Sequence, residues 1–216
     1  MKKLFLTLIC AIICITCFSQ KKDTVHQYTA EAVFIVAHPD LKKSVANAVI
    51  LERLTHLNNV TKVIDLYNDK KAFDLSYCKE KIGNAGVIVF QFPFYFAQAP
   101  SEMKRWIDEV VFQLVADDFF KGRKFMIVTT TGAEQETYTP KGRNLYTVEE
   151  LLIPYKFMAN HLQMEWQTPF VVYNISGANA TINAINGLKE FETSLLKIIF
   201  SVAPKSEKSI PYRNRR

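Results

Sequence analysis

Two polar side chains, Ser44 and Asn47, stand where a helix is predicted to begin, shortly after His38. All three belong to the stretch AHPDLKKSVAN, which directly follows a predicted strand. Because the first turn of a helix leaves backbone N–H groups free, a hydroxyl and an amide at that position are suited to binding a phosphate. Taken alone, an ordinary N-cap at Ser44 explains these residues better.

A second stretch, FQFPFYFAQAP, places aromatic side chains at four of five consecutive positions, Phe92, Phe94, Tyr95 and Phe96. Pro93 stands among them, and a proline cannot donate to the central ladder of a sheet. We therefore expect the aromatic run to lie in a loop after a buried strand. Core packing explains consecutive loop aromatics poorly, whereas stacking against a flat conjugated ligand would use their exposed faces.

A third stretch, TTTGAEQETY, offers a polar loop, with Gly132 as a permissive backbone position and Tyr138 as a phenol. Together the three stretches would supply a phosphate site, an aromatic surface and a polar edge, which an FMN-type cofactor needs. The sequence contains no glycine-rich phosphate loop, which argues against nucleotide binding of the Walker or Rossmann type.

The elements that must position these stretches alternate between strands and helices. Short apolar, β-branched runs predict strands over 31–38, 60–67, 86–92 and 124–131, and a fifth strand, interrupted by proline, in EWQTPFVVYN. Helical spacing predicts helices over 44–59, 75–84, 101–115, about 148–163 and 179–201. This alternation predicts an α/β fold with helices on both faces of a five-stranded parallel sheet, doubly wound and flavodoxin-like, of order 2-1-3-4-5. Such sheets bind ligands beyond the carboxyl ends of their strands.

Local signals refine three of these helices. Ser101 is placed to cap the third helix, and Thr147 with Glu150 forms a capping-box pattern before the fourth. Pro154 is expected to bend that fourth helix.

The two ends of the chain differ from the predicted domain at 31–202. Residues 1–20 combine a basic start, an uncharged apolar run and an abrupt polar switch, which is typical of a signal peptide; a membrane anchor is the alternative. A short linker at 21–30 and a basic tail at 203–216 complete the expected organisation. We therefore expect an exported, periplasmic protein that meets a membrane only during export.

Charge and cysteine usage limit the classes of partner and site. The net charge of +6 comes largely from the signal peptide and the tail, so the domain between them is near neutral. This argues against a nucleic-acid partner. Beyond the signal peptide the chain keeps only Cys78, which predicts a packing residue and neither a disulfide nor a cysteine metal site.

The sequence resembles the NAD(P)H quinone reductase branch of the flavodoxin-like fold, the flavodoxin-2 type. That group includes mammalian quinone reductase and the flavin-binding ancillary subunits of glutathione-gated potassium efflux systems. The resemblance covers residues 32 to 200 or so, through AHPDLKKSVAN, FQFPFYFAQAPSEMKRWID, TTTGAEQETY and EELLIPY. It implies FMN, or alternatively FAD, with NAD(P)H as co-substrate and a quinone or similar small molecule as electron acceptor. It also implies a homodimer, for which the 101–115 helix is our candidate contact.

The resemblance further implies roles for individual residues. His38, Ser44 and Asn47 would surround the phosphate and ribityl chain. The isoalloxazine ring would be lined by Pro93, Phe94, Tyr95 and Phe96, and its polar edge by Thr130, Thr131, Gly132 and Ala133. Tyr138 matches a catalytic tyrosine that lies over the flavin face.

Two positions depart from the family pattern. Phe96 stands where the family usually has tryptophan, which reduces the stacking area. Asn144 stands where mammalian quinone reductase has a histidine partner for its tyrosine, and an asparagine cannot pass on a proton. The other mid-domain histidine, His161, is expected to be a structural residue. A flavodoxin-like electron carrier and a regulatory flavoprotein without quinone turnover remain the alternatives to an enzyme.

Overall fold

The computed structural model describes residues 27–57 and 61–202. The predicted signal peptide at 1–20, positions 21–26 of the linker and the tail at 203–216 lie outside the described residues. Among the helices that the described residues form, none is both long and apolar enough to cross a membrane.

The strands form one parallel sheet in the predicted order, β2-β1-β3-β4-β5. A further short strand, β6, also pairs with β4, so β5 and β6 are two parts of the fifth strand position, separated around Pro169. This confirms the predicted fold class and the proline interruption. The bounds are β1 Thr29–Val36, β2 Thr61–Asp65, β3 Ala85–Pro93, β4 Lys124–Thr130, β5 Glu165–Trp166 and β6 Phe170–Val172.

Helices cover both faces of the sheet, as predicted. Helix α3 begins as Ser101–Trp106, passes through a π-helical turn at Ile107–Val111 and ends as Phe112–Leu114. The other helices are α1 Val45–Thr55, α2 Leu75–Ile82, α4 Val148–Leu151, α5 Ile153–His161 and α6 Ala180–Phe200. Single 3₁₀ turns occupy Leu41–Lys43, Val115–Asp117 and Gln135–Thr137.

The alternation of side chains along the strands divides the core into two layers. On one face, Phe34 of β1 and Val89 of β3 pack against α1 and α6. On the other face, Ile35 and Phe90 pack against α2, α3 and α5. Cys78 of α2 lies in this second layer, fully buried, with its thiol donating to the carbonyl oxygen of Ala72, which confirms a packing role.

The helix starts follow the predicted signals in part. Thr147 and Glu150 form the capping box before α4. Helix α3, by contrast, is preceded by Pro100, and Ser101 is its first helical residue, so the predicted Ser101 cap is wrong. The long helix expected at 148–163 breaks at Leu152, because Pro154 falls in the first turn of the new helix α5, where its missing N–H costs little.

At the edge of the sheet where the strands begin, the buried side chain of Arg123 bonds to several backbone carbonyls. The guanidinium of Arg123 donates to the backbone carbonyls of Gly83, Ala85 and Phe119. It also lies against the Tyr28 ring, 4.6 Å from the centroid. At the same edge, a Cβ on Gly86 would lie 2.2 Å from Cγ1 of Val202, so only glycine allows this approach. Both ends of the described domain are thereby fastened to one edge.

Candidate functional site

The first loop, residues 37–44 after β1, leads into the N-terminus of α1. The Ser44 hydroxyl oxygen accepts from the N–H of Asn47 at 3.1 Å, which is an ordinary N-cap. The N–H groups of Val45 and Ala46 have no partner among the described residues. Because α1 runs for eleven residues, these free donors lie at the positive end of a substantial helix dipole. The first loop can therefore bind an anion.

His38 lies half-buried at the start of the first loop, with its Nδ1 accepting from the N–H of Asp40 at 3.2 Å. Partial burial lowers the pKa of His38, although the carboxylates of Asp40 and Asp65 act in the opposite direction. The imidazole is therefore held in its neutral form more strongly than an exposed histidine.

Asn47 is nearly fully buried, with 1% of its surface exposed. Its Nδ2 donates to the Thr130 hydroxyl at the end of β4, at 3.0 Å, and its Oδ1 has no partner among the described residues. The backbone carbonyl of Asn47 accepts from Nε2 of Gln91 in β3, also at 3.0 Å. The first turn of α1 is thus attached to two neighbouring strands.

The aromatic run predicted to lie in one loop is divided between core and surface. Phe92 is a buried residue of β3, and Pro93 is the last residue of that strand, paired with Thr130. Phe92 stacks on Phe94 with ring centroids 6.2 Å apart and lies 5.3 Å from Tyr155 of α5. Phe92 is thus the last residue of the predicted strand 86–92, which is confirmed, and Pro93 extends it by one residue, because a proline can end a strand without removing the bonds before it.

The rest of the run forms a tight turn from Tyr95 to Gln98. The N–H of Tyr95 donates to the Gln98 carbonyl at 2.9 Å, and the reverse bond measures 3.1 Å. The two central residues, Phe96 and Ala97, both have positive φ, at 50° and 62°. The Phe96 side chain is fully exposed and that of Tyr95 is about half exposed. A positive φ at a bulky residue is rare and costs about 1–3 kcal/mol of conformational free energy. The turn that exposes the Phe96 ring is therefore strained.

The third loop, residues 131–147 after β4, is ordered by short bonds near its start. The Thr131 hydroxyl donates to the Ala133 carbonyl at 2.8 Å, and the Ser176 hydroxyl donates to the Gly132 carbonyl at 2.7 Å. The N–H groups of Gly132 and Ala133 have no partner among the described residues. Gly132 has no positive φ, and a Cβ there would meet Ser176 at an ordinary 3.8 Å, so the expected need for a permissive backbone is absent.

Tyr138 ends the 3₁₀ turn of the third loop, half-buried, with its ring 5.9 Å from that of Tyr173. Asn144 does not contact it through a hydrogen bond. Its backbone N–H and its side-chain amide both donate to Thr137, at 3.0 and 3.4 Å. Asn144 therefore shapes the loop, and Tyr138 has no proton-transfer partner at that position.

Two residues of this edge were missed by sequence reasoning. Gln91 is fully buried, and a single amide within the otherwise apolar strand GVIVFQF was a signal that could have identified it. Tyr155 of α5 packs against the ring of Phe92, and burial raises the pKa of its hydroxyl to about 12.

His161 was expected to be a structural residue on an apolar helix. It is instead exposed at the end of α5 and stacks on Phe157.

The donors that converge here fit a flavin nucleotide. Parallel strands end at a common edge, and the bond from the Phe94 N–H to the Thr130 carbonyl joins the second and third loops there. The first loop offers free N–H groups for a phosphate, the turn at Phe96 offers an exposed ring, and Gly132 and Ala133 offer N–H groups for a polar ring edge. Asn47 Oδ1 is a buried acceptor still lacking a donor.

The sequence profile of the flavodoxin-2 family, a flavodoxin-like fold, matches residues 30–193. The chain belongs to this family. Among its relatives is the glutathione-regulated potassium-efflux system ancillary protein KefG of Cronobacter sakazakii, which is 36% identical over 151 residues, covering 67% of this chain and 82% of KefG. The resemblance to the flavodoxin-like oxidoreductases that include such ancillary proteins is confirmed.

Solved structures show the same fold at lower identity. General stress protein 14 from Treponema denticola, in complex with FMN, superposes with a TM-score of 0.72 at 22% identity, over 78% of this chain and 99% of that one. An NADPH-quinone reductase from P. pentosaceus gives a TM-score of 0.59 at 21% identity, over 82% of this chain and 99% of that one. These likenesses concern the fold.

Proposed function

We propose that this member of the flavodoxin-2 family is an FMN-dependent NAD(P)H oxidoreductase that reduces quinones or similar acceptors by two electrons. The observation that carries the proposal is the meeting of the free α1 N-terminus, the strained turn displaying Phe96 and the free N–H groups of the third loop at one sheet edge. The FMN complex and the quinone reductase among the structural neighbours support this choice of cofactor and reaction.

The chain would hold the cofactor through groups of complementary charge. The N–H groups of Val45 and Ala46, with the Ser44 hydroxyl, would bind the phosphate, and His38 would lie beside it. Phe94, Tyr95 and Phe96 would contact the ring, while Pro93 and the Thr130–Ala133 segment would set the position of its polar edge. Because Asn47 is almost fully buried and its unpaired Oδ1 is itself buried, a direct contact with the ribityl chain would require a shift of the first turn of α1.

A bound FMN would supply two-electron redox chemistry between NAD(P)H and the acceptor, in the two half-reactions of a ping-pong cycle. The nicotinamide and the acceptor would occupy in turn the space beside the exposed rings of Phe96 and Tyr95, against the flavin that these rings contact. Tyr138 would orient the acceptor and donate a hydrogen bond to its developing negative charge. Because position 144 is an asparagine and not a histidine, that hydrogen bond would polarise the acceptor, but no neighbouring group would pass a proton on to Tyr138.

A homodimer would complete the site. Phe112 of α3 and Phe157 of α5 are 76% and 72% exposed, and Ile153 lies exposed at the start of α5. The π-helical turn buries Val110 and Val111 consecutively and leaves Phe112 on the surface. Large exposed apolar side chains on adjacent helices are typical of an interface. Sedimentation of the wild-type protein and of Phe112→Glu would test this: a monomeric wild type contradicts the dimer.

The predicted export also stands as a proposal, supported by the composition of residues 1–20. N-terminal sequencing of the protein from its native cell would find a mature chain starting near residue 21. A protein that keeps Met1 and stays in the cytosol would contradict both the signal peptide and the periplasmic location.

A regulatory flavoprotein is the second candidate, because the relative KefG is named as an ancillary protein of a potassium-efflux system. One experiment separates the candidates. The absorption spectrum of the purified mature protein, with identification of any flavin released by heat, establishes the cofactor; turnover with NADH or NADPH and a quinone establishes the activity. Absence of flavin binding refutes both candidates, whereas bound flavin without turnover favours the regulatory one or an electron carrier.

A further inference from the structure

A buried polar network underlies the first loop on the α1 side of the sheet. Gln91 of β3, Thr130 of β4 and Asn47 of α1 are all at most 1% exposed. Gln91 and Thr130 lie on the same faces of their strands as the apolar core residues Val89 of β3 and Val128 of β4. Polar groups at such depth are retained only with hydrogen bonds, and an apolar side chain would fill the same space without that requirement.

The bonds of this network all converge on one residue. Asn47 receives a bond at its backbone carbonyl from Gln91 and gives one through its side chain to Thr130, each at 3.0 Å. A third bond joins its backbone N–H to Ser44. Because a backbone carbonyl can only accept, the first contact also fixes the orientation of the Gln91 amide. The first turn of α1 is thus fixed from the strand side as well as from its own cap.

We propose that Gln91 is a positioning residue for the phosphate end of the cofactor. It acts through Asn47, holding the first turn of α1 so that the free N–H groups of Val45 and Ala46 keep the geometry that a phosphate requires. Thr130 acts through the same asparagine from β4. The proposal rests on the proposed FMN function, but the fixing of α1 can be measured without any flavin.

The unsatisfied Oε1 of Gln91 allows a positioning role to be separated from a contribution to global stability. Its Oε1 is buried and has no partner among the described residues. Gln91→Met, which keeps the length of the side chain, therefore removes one hydrogen bond and one unsatisfied polar atom together. Since these changes oppose each other, the global stability should change little while the contact to Asn47 is lost.

Thr129 provides a matched control. It is fully buried, is adjacent in sequence to Thr130 and has a hydroxyl without a partner among the described residues. Successive side chains of a strand point to opposite faces, so Thr129 lies away from α1. Thr129→Val is nearly isosteric and should leave both α1 and the cofactor unaffected.

The experiment compares the wild type with Gln91→Met, Thr130→Val, the double variant and Thr129→Val. Hydrogen exchange of backbone amides in the flavin-free proteins reports the first turn of α1, and fluorescence quenching reports the affinity for FMN. In Gln91→Met, we expect exchange of the hydrogen-bonded amides of Asn47, Ala48 and Val49 to accelerate and FMN to bind about 10-fold more weakly, as loss of one hydrogen bond allows. The ³¹P resonance of the bound phosphate should shift. Because both variants act through Asn47, the double variant should lose less affinity than the product of the single effects.

Three results would overturn the proposal. Both folded single variants could exchange their amides and bind FMN as the wild type does. Alternatively, the losses of FMN affinity could multiply in the double variant, or Thr129→Val could weaken FMN binding as much as Gln91→Met. If Gln91→Met does not fold, hydrogen exchange of flavin-free Thr130→Val decides whether bonds through Asn47 fix α1, because Thr130 is itself proposed to lie at the flavin. A wild type that does not bind FMN would refute the proposed function, while the exchange data would still decide whether Gln91 positions α1.

Discussion

The ring of Phe92 stacks on that of Phe94 at 6.2 Å and an angle of 28°, and this contact joins the core of the sheet to the proposed cofactor site. Phe92 is fully buried, whereas two residues beyond Phe94 the ring of Phe96 is fully exposed. Within five residues, the aromatic run therefore changes from a buried core side chain, Phe92, to a solvent-exposed one, Phe96.

Phe96→Ala should separate these two roles. Because the ring contacts solvent, the free energy of unfolding should change by less than about 1 kcal/mol, while FMN retention and turnover fall. Phe92→Ala is the control, and as a buried aromatic it should cost about 3–5 kcal/mol. Urea unfolding and flavin titration of both variants provide the measurement. If Phe96→Ala unfolds as easily as Phe92→Ala but binds flavin normally, the ring is a core residue.

Ala97→Gly should relieve the strain in the turn. Glycine adopts positive φ without steric cost, so we expect about 0.5–1 kcal/mol of added stability, reduced by the greater freedom of the unfolded chain. Ala30→Gly in β1, where the backbone is extended, should instead be destabilising. Equal destabilisation by both substitutions would show that the turn at Phe96 is not strained.

Ser44→Ala should affect both the fold and the cofactor. Loss of the N-cap should cost about 0.5–2 kcal/mol of stability, and the same hydroxyl is proposed to contact the phosphate. Thr147→Ala removes a comparable cap from α4 and provides the control. Both variants should lose stability, but only Ser44→Ala should weaken FMN binding. Equal flavin affinities in two folded variants would limit Ser44 to capping.

Tyr138→Phe removes the hydroxyl and keeps the ring. General acid catalysis contributes about 10²–10⁴ in rate, and since Asn144 is bonded to Thr137, we expect an effect below that range. Stopped-flow measurement of the two half-reactions should show a larger loss for oxidation by quinone than for reduction by NAD(P)H. Asn144→His should raise the quinone half-reaction only if the imidazole reaches the Tyr138 hydroxyl, because the Asn144 side chain is directed to Thr137. Unchanged rates in Tyr138→Phe would leave its ring as the functional part.

His38 should make the stability depend on pH. Burial lowers its pKa in the folded state, so below the ordinary histidine pKa of about 6.5 the unfolded chain takes up the proton more readily. The free energy of unfolding should therefore fall as the pH decreases through this range, and His38→Gln should reduce that slope. Urea unfolding from about pH 5 to pH 8, with exposed His161→Gln as the control, measures it. Identical slopes in His38→Gln and the wild type would contradict this assignment.

The fold was predictable because its signals are local. Alternating apolar runs and helical spacing identified the strands, and the Thr147 capping box and the Pro169 interruption were found where the residues indicated. The errors came from tertiary context. The packing of Phe92 against Tyr155, which is far away in sequence, could not be read from the aromatic run itself. The role of Gln91 depends on a contact with Asn47, forty-four positions away, which no pattern in its own strand could reveal.

The fastening of Tyr28 to Arg123 and of Val202 to Gly86 has a consequence for handling the protein. Both contacts lie at the edge from which the parallel strands begin, whereas the proposed site lies where they end. An affinity tag, a fluorescent fusion or a surface linker added at either end of the domain would start at the edge of the sheet opposite to the proposed site. Immobilised protein would therefore present the edge with the proposed site to the solution whichever end is attached.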